Sequence, residues 1–318
     1  ANPKAAVQKI KKDLNKAITK VRNAKDPSQL DMLKTQLDRL NALGGSLSLT
    51  TKKGLDYIEK KSTATNTLEA GSFDKHLGTL ELGAGTENSG IYISSEVAYD
   101  GGWRDHSPGD IKRLFINYGH SFRDIDLDFT FLVADTDIYG NGVTPVELLQ
   151  KRRESLFTWP DITENRLYLL NTNNSYYYND NTTISTSIYY RKLLRTTLNA
   201  DELDAGECDE DNENSHQSQL KTDFGTSNSP LCGDDNSSGD YGILIDQYGN
   251  AISTNSNIRR YGVLNKTNTM TVSWGGGIQT DIQEIYGDLE HSIVLGMSAD
   301  KTRTAFHSRG ELGELTYN

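Results

Sequence analysis

The sequence lacks any apolar run near the roughly 18 residues that a membrane-spanning helix needs. Only 35% of its 318 residues are hydrophobic, at a mean hydropathy of -0.62. That excludes a bundle of membrane helices. It leaves open a membrane β-barrel, whose strands alternate apolar and polar residues and keep the mean hydropathy low. The opening "ANPKAAVQ" has no apolar core, so no export signal shows there. Cations are outnumbered, 33 Lys and Arg against 44 Asp and Glu, for a net charge of -11. Phosphate binding needs clustered cations, so no nucleic-acid partner is expected. The six histidines (His76, His106, His120, His216, His291 and His307) are scattered, with none in an H-E-x-x-H pattern. No catalytic set emerges, and a non-enzyme is expected.

Cysteine is scarce as well. Cys208 and Cys232 flank one polar segment with no metal-ligand spacing around them. A disulfide between them is the simple reading, and it implies an oxidising compartment. Two reduced thiols in a surface loop are the alternative.

What is present divides at about residue 40. Before it, Val7, Ile10, Leu14, Ile18 and Val21 recur at helical spacing. Asp26 can cap a second helix and Pro27 suits its first position, ahead of Leu30, Leu33, Leu37 and Leu40. The pattern predicts an α-helical hairpin over 1–40 whose apolar stripes pack on each other. Beyond Gly54 the period becomes two. Leu80, Leu82 and Ala84 share a face, as do Ile91, Ile93, Val97 and Tyr99. Leu127, Phe129, Phe131 and Val133 oppose Asp126, Asp128 and Thr130. Ile184, Ile188 and Tyr190 oppose Ser185, Ser187 and Arg191. Leu289, Ile293, Leu295 and Met297 oppose Glu290, Ser292 and Ser298. Barrel strands read this way, and so do those of a sandwich. Connections are unequal: a short turn at 88–90, another centred in 171–182, and long loops over 135–164 and 198–257. Short turns on one side and long loops on the other are the outer-membrane barrel asymmetry.

Whole phrases carry a resemblance. They are "NALGGSLSLTTKKG" (41–54), "DGGWRDHSPGDIKRLF" (100–115), "ADTDIYGNGVTPVELLQKRRESLFTWPDITENRLYLL" (134–170), "YYRKLLRTTLNADE" (189–202), "LIDQYGNAI" (244–252) and "VLGMSADKTRTAFHSRGELGEL" (294–315). In this order they resemble TonB-dependent outer-membrane receptors over residues 41–318. The resemblance implies that Gly44, Gly45, Ser46, Leu47, Ser48, Leu49, Thr50 and Thr51 end a plug domain, within a plug-end segment at 41–54. Residues 55–318 would then be part of a barrel. About nine or ten strand candidates follow Gly54, read as an antiparallel meander, against about 22 in the complete barrel that the resemblance implies. The intact protein would sit in the outer membrane of a Gram-negative bacterium, next to lipopolysaccharide. It would bind a small nutrient and import it with TonB. The helical hairpin matches nothing in the family. A non-transporting surface β-protein, such as an adhesin or binding module, and an engineered fusion of a receptor fragment are the alternatives. With half a barrel expected, the chain by itself is expected not to transport.

Few residues suggest a site. Trp103, Arg104, Trp159 and Arg166 lie beside the expected loops and are candidates for ligand contact, or else belt aromatics and structural ion pairs. Asp234, Asn236, Ser238 and Gly239 fall at EF-hand offsets, but Ile245 stands where the bidentate Glu belongs. Calcium is thus a weak candidate and no other cofactor is expected. The eight carboxylates between Asp201 and Glu213 read as a solvated loop.

Overall fold

The computed structural model describes residues 51–140, 142–203, 205–207, 230–235, 240–255, 257–286 and 289–316. The expected hairpin over 1–40 and the plug-end residues 44–50 lie outside them; Thr51 is in neither helix nor strand.

Nine strands form one antiparallel sheet in chain order: β1 (Thr63–Gly71), β2 (Lys75–Gly85), β3 (Ser89–Asp100), β4 (Gly109–Phe122), β5 (Ile125–Tyr139), β6 (Asp161–Asn179), β7 (Thr182–Glu202), β11 (Tyr261–Tyr286) and β12 (Leu289–Glu314). The sheet is not closed, and β1 and β12 are its edges. A second sheet of three short strands lies between β7 and β11 in the chain: β8 (Ala205–Glu207), β9 (Leu231–Asp235) and β10 (Asp240–Ile243). A 3-10 helix at Gly54–Tyr57 precedes β1, and α1 (Val146–Lys151) lies in the connection between β5 and β6.

The period-two pattern sets the register, because a slip of one residue would turn every apolar side chain over. Ile93, Ile116, Phe131, Leu170, Tyr190 and Trp274 pair in succession and so share one face. One residue along, Asn117, Thr130, Asn171 and Tyr189 make a row on the other face. Each face expected from the sequence thus extends across neighbouring strands. The short turns 86–88, 123–124 and 180–181 lie at one end of the sheet. The connections 101–108, 140–160 and 203–260 lie at the other, with one short turn at 72–74.

Three expected boundaries move. β5 continues to Tyr139 and β6 begins at Asp161, so the first long connection is shorter than 135–164. The alternation persists there, but charged residues replace apolar ones, and the eye reads loop. The second connection begins after Glu202 and contains the three-stranded sheet. In 171–182 the turn sits at 180–181, near the end of the segment, and 171–179 is strand. Asn171 and Asn173 lie on the polar face, in rows with Thr130 and Tyr189 and with Asp128 and Ser187, whereas Asn174 lies on the other face between Leu127 and Thr186.

Strand length grows from nine residues in β1 to 26 in β11 and β12. At about 3.4 Å per residue the longest strands reach roughly 90 Å. A strand crossing a bilayer needs about 9–11 tilted residues, and β11 and β12 are more than twice that long.

Candidate functional site

Among the described residues, buried side chains gather where the 3-10 helix meets the polar face of β2–β4. Gly54 N–H donates to Asn117 Oδ1 at 2.6 Å. The Asn117 amide in turn donates to Asp128 Oδ1 at 2.8 Å and Thr130 Oγ1 at 2.9 Å. Asn117 is 1% exposed and Asp128 3%. Lys53 Nζ lies 3.9 Å from Asp128 Oδ2, which has no hydrogen bond. The helix start is closed by Lys53 N–H donating to Asp56 Oδ2 at 2.9 Å. Tyr57 stacks on Tyr92 at 5.9 Å between ring centres, and Tyr92 packs on Phe115 at 6.0 Å.

The strands beneath are cleared for this contact. A Cβ at Gly83 or Gly85 would come under 3.0 Å from Tyr57; at Gly90 it would meet the Gly54 carbonyl, and at Gly119 Leu55. Glycine in a strand interior weakens the strand and marks a close backbone approach. Four on one face of three neighbouring strands make a bed for the incoming chain. Sequence reasoning missed this site. Its visible signal was glycine at positions 83 and 85, followed by 90 and 119, inside otherwise alternating segments.

A second cluster lies at the long-connection end. Arg104 Nη2 donates to Thr144 Oγ1 at 2.9 Å and to the Ser155 carbonyl at 2.8 Å, joining the 101–108 and 140–160 connections. Asp105 pairs with Arg152, and its N–H donates to the Glu154 carbonyl at 3.0 Å. Two guanidinium groups lie over the Trp103 ring, Arg104 at 5.5 Å and Arg153 at 5.6 Å. Trp159 packs on His106 at 4.6 Å. Both indoles stay about half exposed, 46% and 49%. Of the four candidate residues, Trp103 and Arg104 touch each other, and Trp159 joins the same 101–108 connection through His106. Arg104 is committed to holding the connections together, whereas the indoles present open surface. Arg166 is elsewhere, on β6, where its Nε and Nη2 reach Asp135 Oδ2 at 3.0 and 2.9 Å. It lies on the apolar-row face of the sheet, as a cross-strand ion pair.

In the three-stranded sheet, Leu231 is fully buried and Cys232 beside it is 4% exposed. Cys232 is not a free thiol; its expected partner Cys208 lies outside the described residues. The same is true of Asn236, Ser238 and the side chain of Asp234. Asp246 closes the adjoining turn, accepting from the N–H groups of Asn250 at 2.9 Å and Tyr248 at 2.8 Å. Those bonds, the Asn250 backbone first, hold its carboxyl below the ordinary carboxylate range.

No protein-family model and no curated protein sequence matches the chain. Solved structures do resemble it. FpvA of P. aeruginosa, bound to heterologous pyoverdines, is 14% identical over 80% of this chain and 29% of that one, with a TM-score of 0.47. The ferric-catecholate import receptor Fiu from E. coli K12, in its closed form, is 10% identical over 79% of this chain and 48% of that one, with a TM-score of 0.41. The siderophore receptor PiuA from Acinetobacter baumannii is 10% identical over 80% of this chain and 47% of that one, with a TM-score of 0.40. The chain therefore spans less than half the length of these structures. Its similarity is to TonB-dependent siderophore receptors.

Proposed function

We propose that this chain is part of a TonB-dependent outer-membrane receptor, the intact form of which binds a scarce nutrient outside the cell and imports it. The observation that carries the reading is the two-faced sheet. Its apolar side chains stay open, with Phe129 46%, Trp274 53%, Leu170 54% and Ile188 60% exposed. An uncovered apolar face of that breadth is not a soluble surface. In a barrel wall it faces lipid. The polar face would line the interior, and there the segment before β1 is docked.

On this reading, residues 44–51 end the plug and lead into the 3-10 helix. The short turns face the periplasm, and the connections bearing Trp103 and Trp159 form the mouth. The indoles offer stacking surface for a ligand, with Arg153 at their side. Unpaired strand edges are not tolerated in hydrocarbon, so further strands complete the cylinder beyond β1 and β12. The test is fractionation of cells that produce the chain within a receptor whose barrel is complete. It is expected in the outer-membrane fraction and to leave it only with detergent. Recovery in the soluble fraction without detergent would overturn the reading and favour a non-transporting surface β-protein.

A further inference from the structure

We infer that the polar face carries a site for a small organic solute with acidic groups on both sides of an apolar body, recognised by Arg191 and Arg195 of β7; the inference rests on the receptor reading above and names the class of its solute. The polar face has one apolar interruption. Two residues along from the row of Thr130, Asn171 and Tyr189, the same face carries Leu132, Leu169 and Arg191 in succession. Two further along it carries Ala134, Leu167 and Leu193. Strands β5–β7 are thus apolar on both faces at this level, and in a barrel wall only one face meets lipid. Apolar side chains among a few placed polar groups are what a small-molecule site presents.

The next row holds Thr136, Asn165 and Arg195. Arg191 and Arg195 therefore bracket Leu193, with Cα atoms about 14 Å apart at about 3.4 Å per residue. Both arginines are exposed, and neither has an ion pair among the described residues. Arg195 is held in place. Its Nε donates to Asn165 Oδ1 at 2.8 Å, and the Asn165 amide donates to Thr136 Oγ1 at 3.3 Å. Both Nη groups stay open, and a fixed guanidinium suits a planar acid group. The carboxylates flanking this stretch are engaged elsewhere. Glu96 lies 3.8 Å from Arg113, Asp300 accepts from Tyr189 at 2.7 Å, and Asp161 accepts from Asn199. The sequence ahead of Gly54 offers no anionic complement, with 12 Lys and Arg against four Asp. A free inorganic anion would leave the leucines uncovered. A neutral solute would leave both guanidinium groups without a counter-charge.

The experiment uses the chain within a receptor whose barrel is complete, extracted from the outer membrane in neutral detergent. Terephthalate and benzoate are the probes, a dianion and a monoanion of one apolar body. Their binding is measured by equilibrium dialysis at low salt against protein-free micelles. Terephthalate is expected to bind about tenfold more tightly than benzoate, with affinity falling as salt is raised. Arg191→Gln and Arg195→Gln are each expected to remove most of that difference, about the tenfold that one charged hydrogen bond supplies. Leu193→Ser is expected to weaken both probes alike. Equal affinity for the two probes, or a difference that survives in both arginine variants, would overturn the inference. So would the absence of binding, which would assign the patch to a covering segment of the receptor. Failure of the receptor to reach the outer membrane would instead overturn the reading on which the inference rests.

Discussion

Asn117 holds three partners with one amide. Alanine there would leave the Gly54 N–H without an acceptor, and Asp128 and Thr130 without a donor. Losing a buried hydrogen bond and stranding its partner costs about 1–3 kcal/mol. Asn117→Ala is therefore expected to lower the unfolding free energy by an amount in that range, read by denaturant unfolding in detergent. Thr130→Val, which removes one acceptor at the edge of the network, is expected to cost less; equal losses would mean that the network is not centred on Asn117. A milder effect belongs to Asp246. Its carboxyl is held low in the folded state, so its contribution is complete above the ordinary carboxylate value and is lost as pH falls through the lowered one. Amide exchange at Tyr248 and Asn250 is expected to quicken below that point, and in Asp246→Ala at neutral pH. An acid-insensitive turn would contradict this. Neither residue was legible in the sequence. Asn117 alternates like any polar residue on an inward face, and only the topology brings it to Gly54.

The elements were more legible than their contacts. Alternation exposed β2, β3, β5, β7 and β12, because one face of the sheet carries apolar and the other polar side chains. It failed for β1, whose residues are all exposed and largely Thr, Ala and Glu. It also failed in the asparagine-rich half of β6, where polar side chains read as turn. A four-residue helix has no period to detect. Its place was marked only by the strand glycines beneath it, and these give the element-scale prediction. Gly90→Val puts side-chain carbon into the Gly54 carbonyl and is expected to undock the 3-10 helix while leaving β2–β4 paired. Hydrogen exchange should then rise in 54–58 and stay low in the strands; loss of protection in both would show that the helix is needed for the sheet itself. The small sheet β8–β10 gives another test. Cys232 is expected to pair with Cys208, so peptide mapping without reductant should yield one cross-linked species; two alkylatable thiols would refute it.

At the scale of the molecule, the question is whether these nine strands can conduct anything. Import needs a continuous wall, and the sheet has two edges, β1 and β12. They are ill matched for pairing with each other: β1 has nine residues and β12 has 26. Closure between them would leave most of β12 with unsatisfied N–H and C=O groups. Each such group costs several kcal/mol where it meets hydrocarbon. Neighbouring strands elsewhere in the sheet differ far less, as in β11 and β12, which match in length. The natural neighbour of β12 is therefore another long strand, and that of β1 another short one, neither present among the described residues. The chain by itself is expected not to import, although the indoles of Trp103 and Trp159 are half exposed at the long-connection end of the sheet. Producing it in a strain deleted for its own receptors, and measuring uptake of candidate ferric complexes with and without TonB, decides the matter. Uptake at the empty-vector level is the expected result. Uptake above that level, abolished by removing TonB, would mean that the open edges close in the membrane by a route the strand lengths argue against.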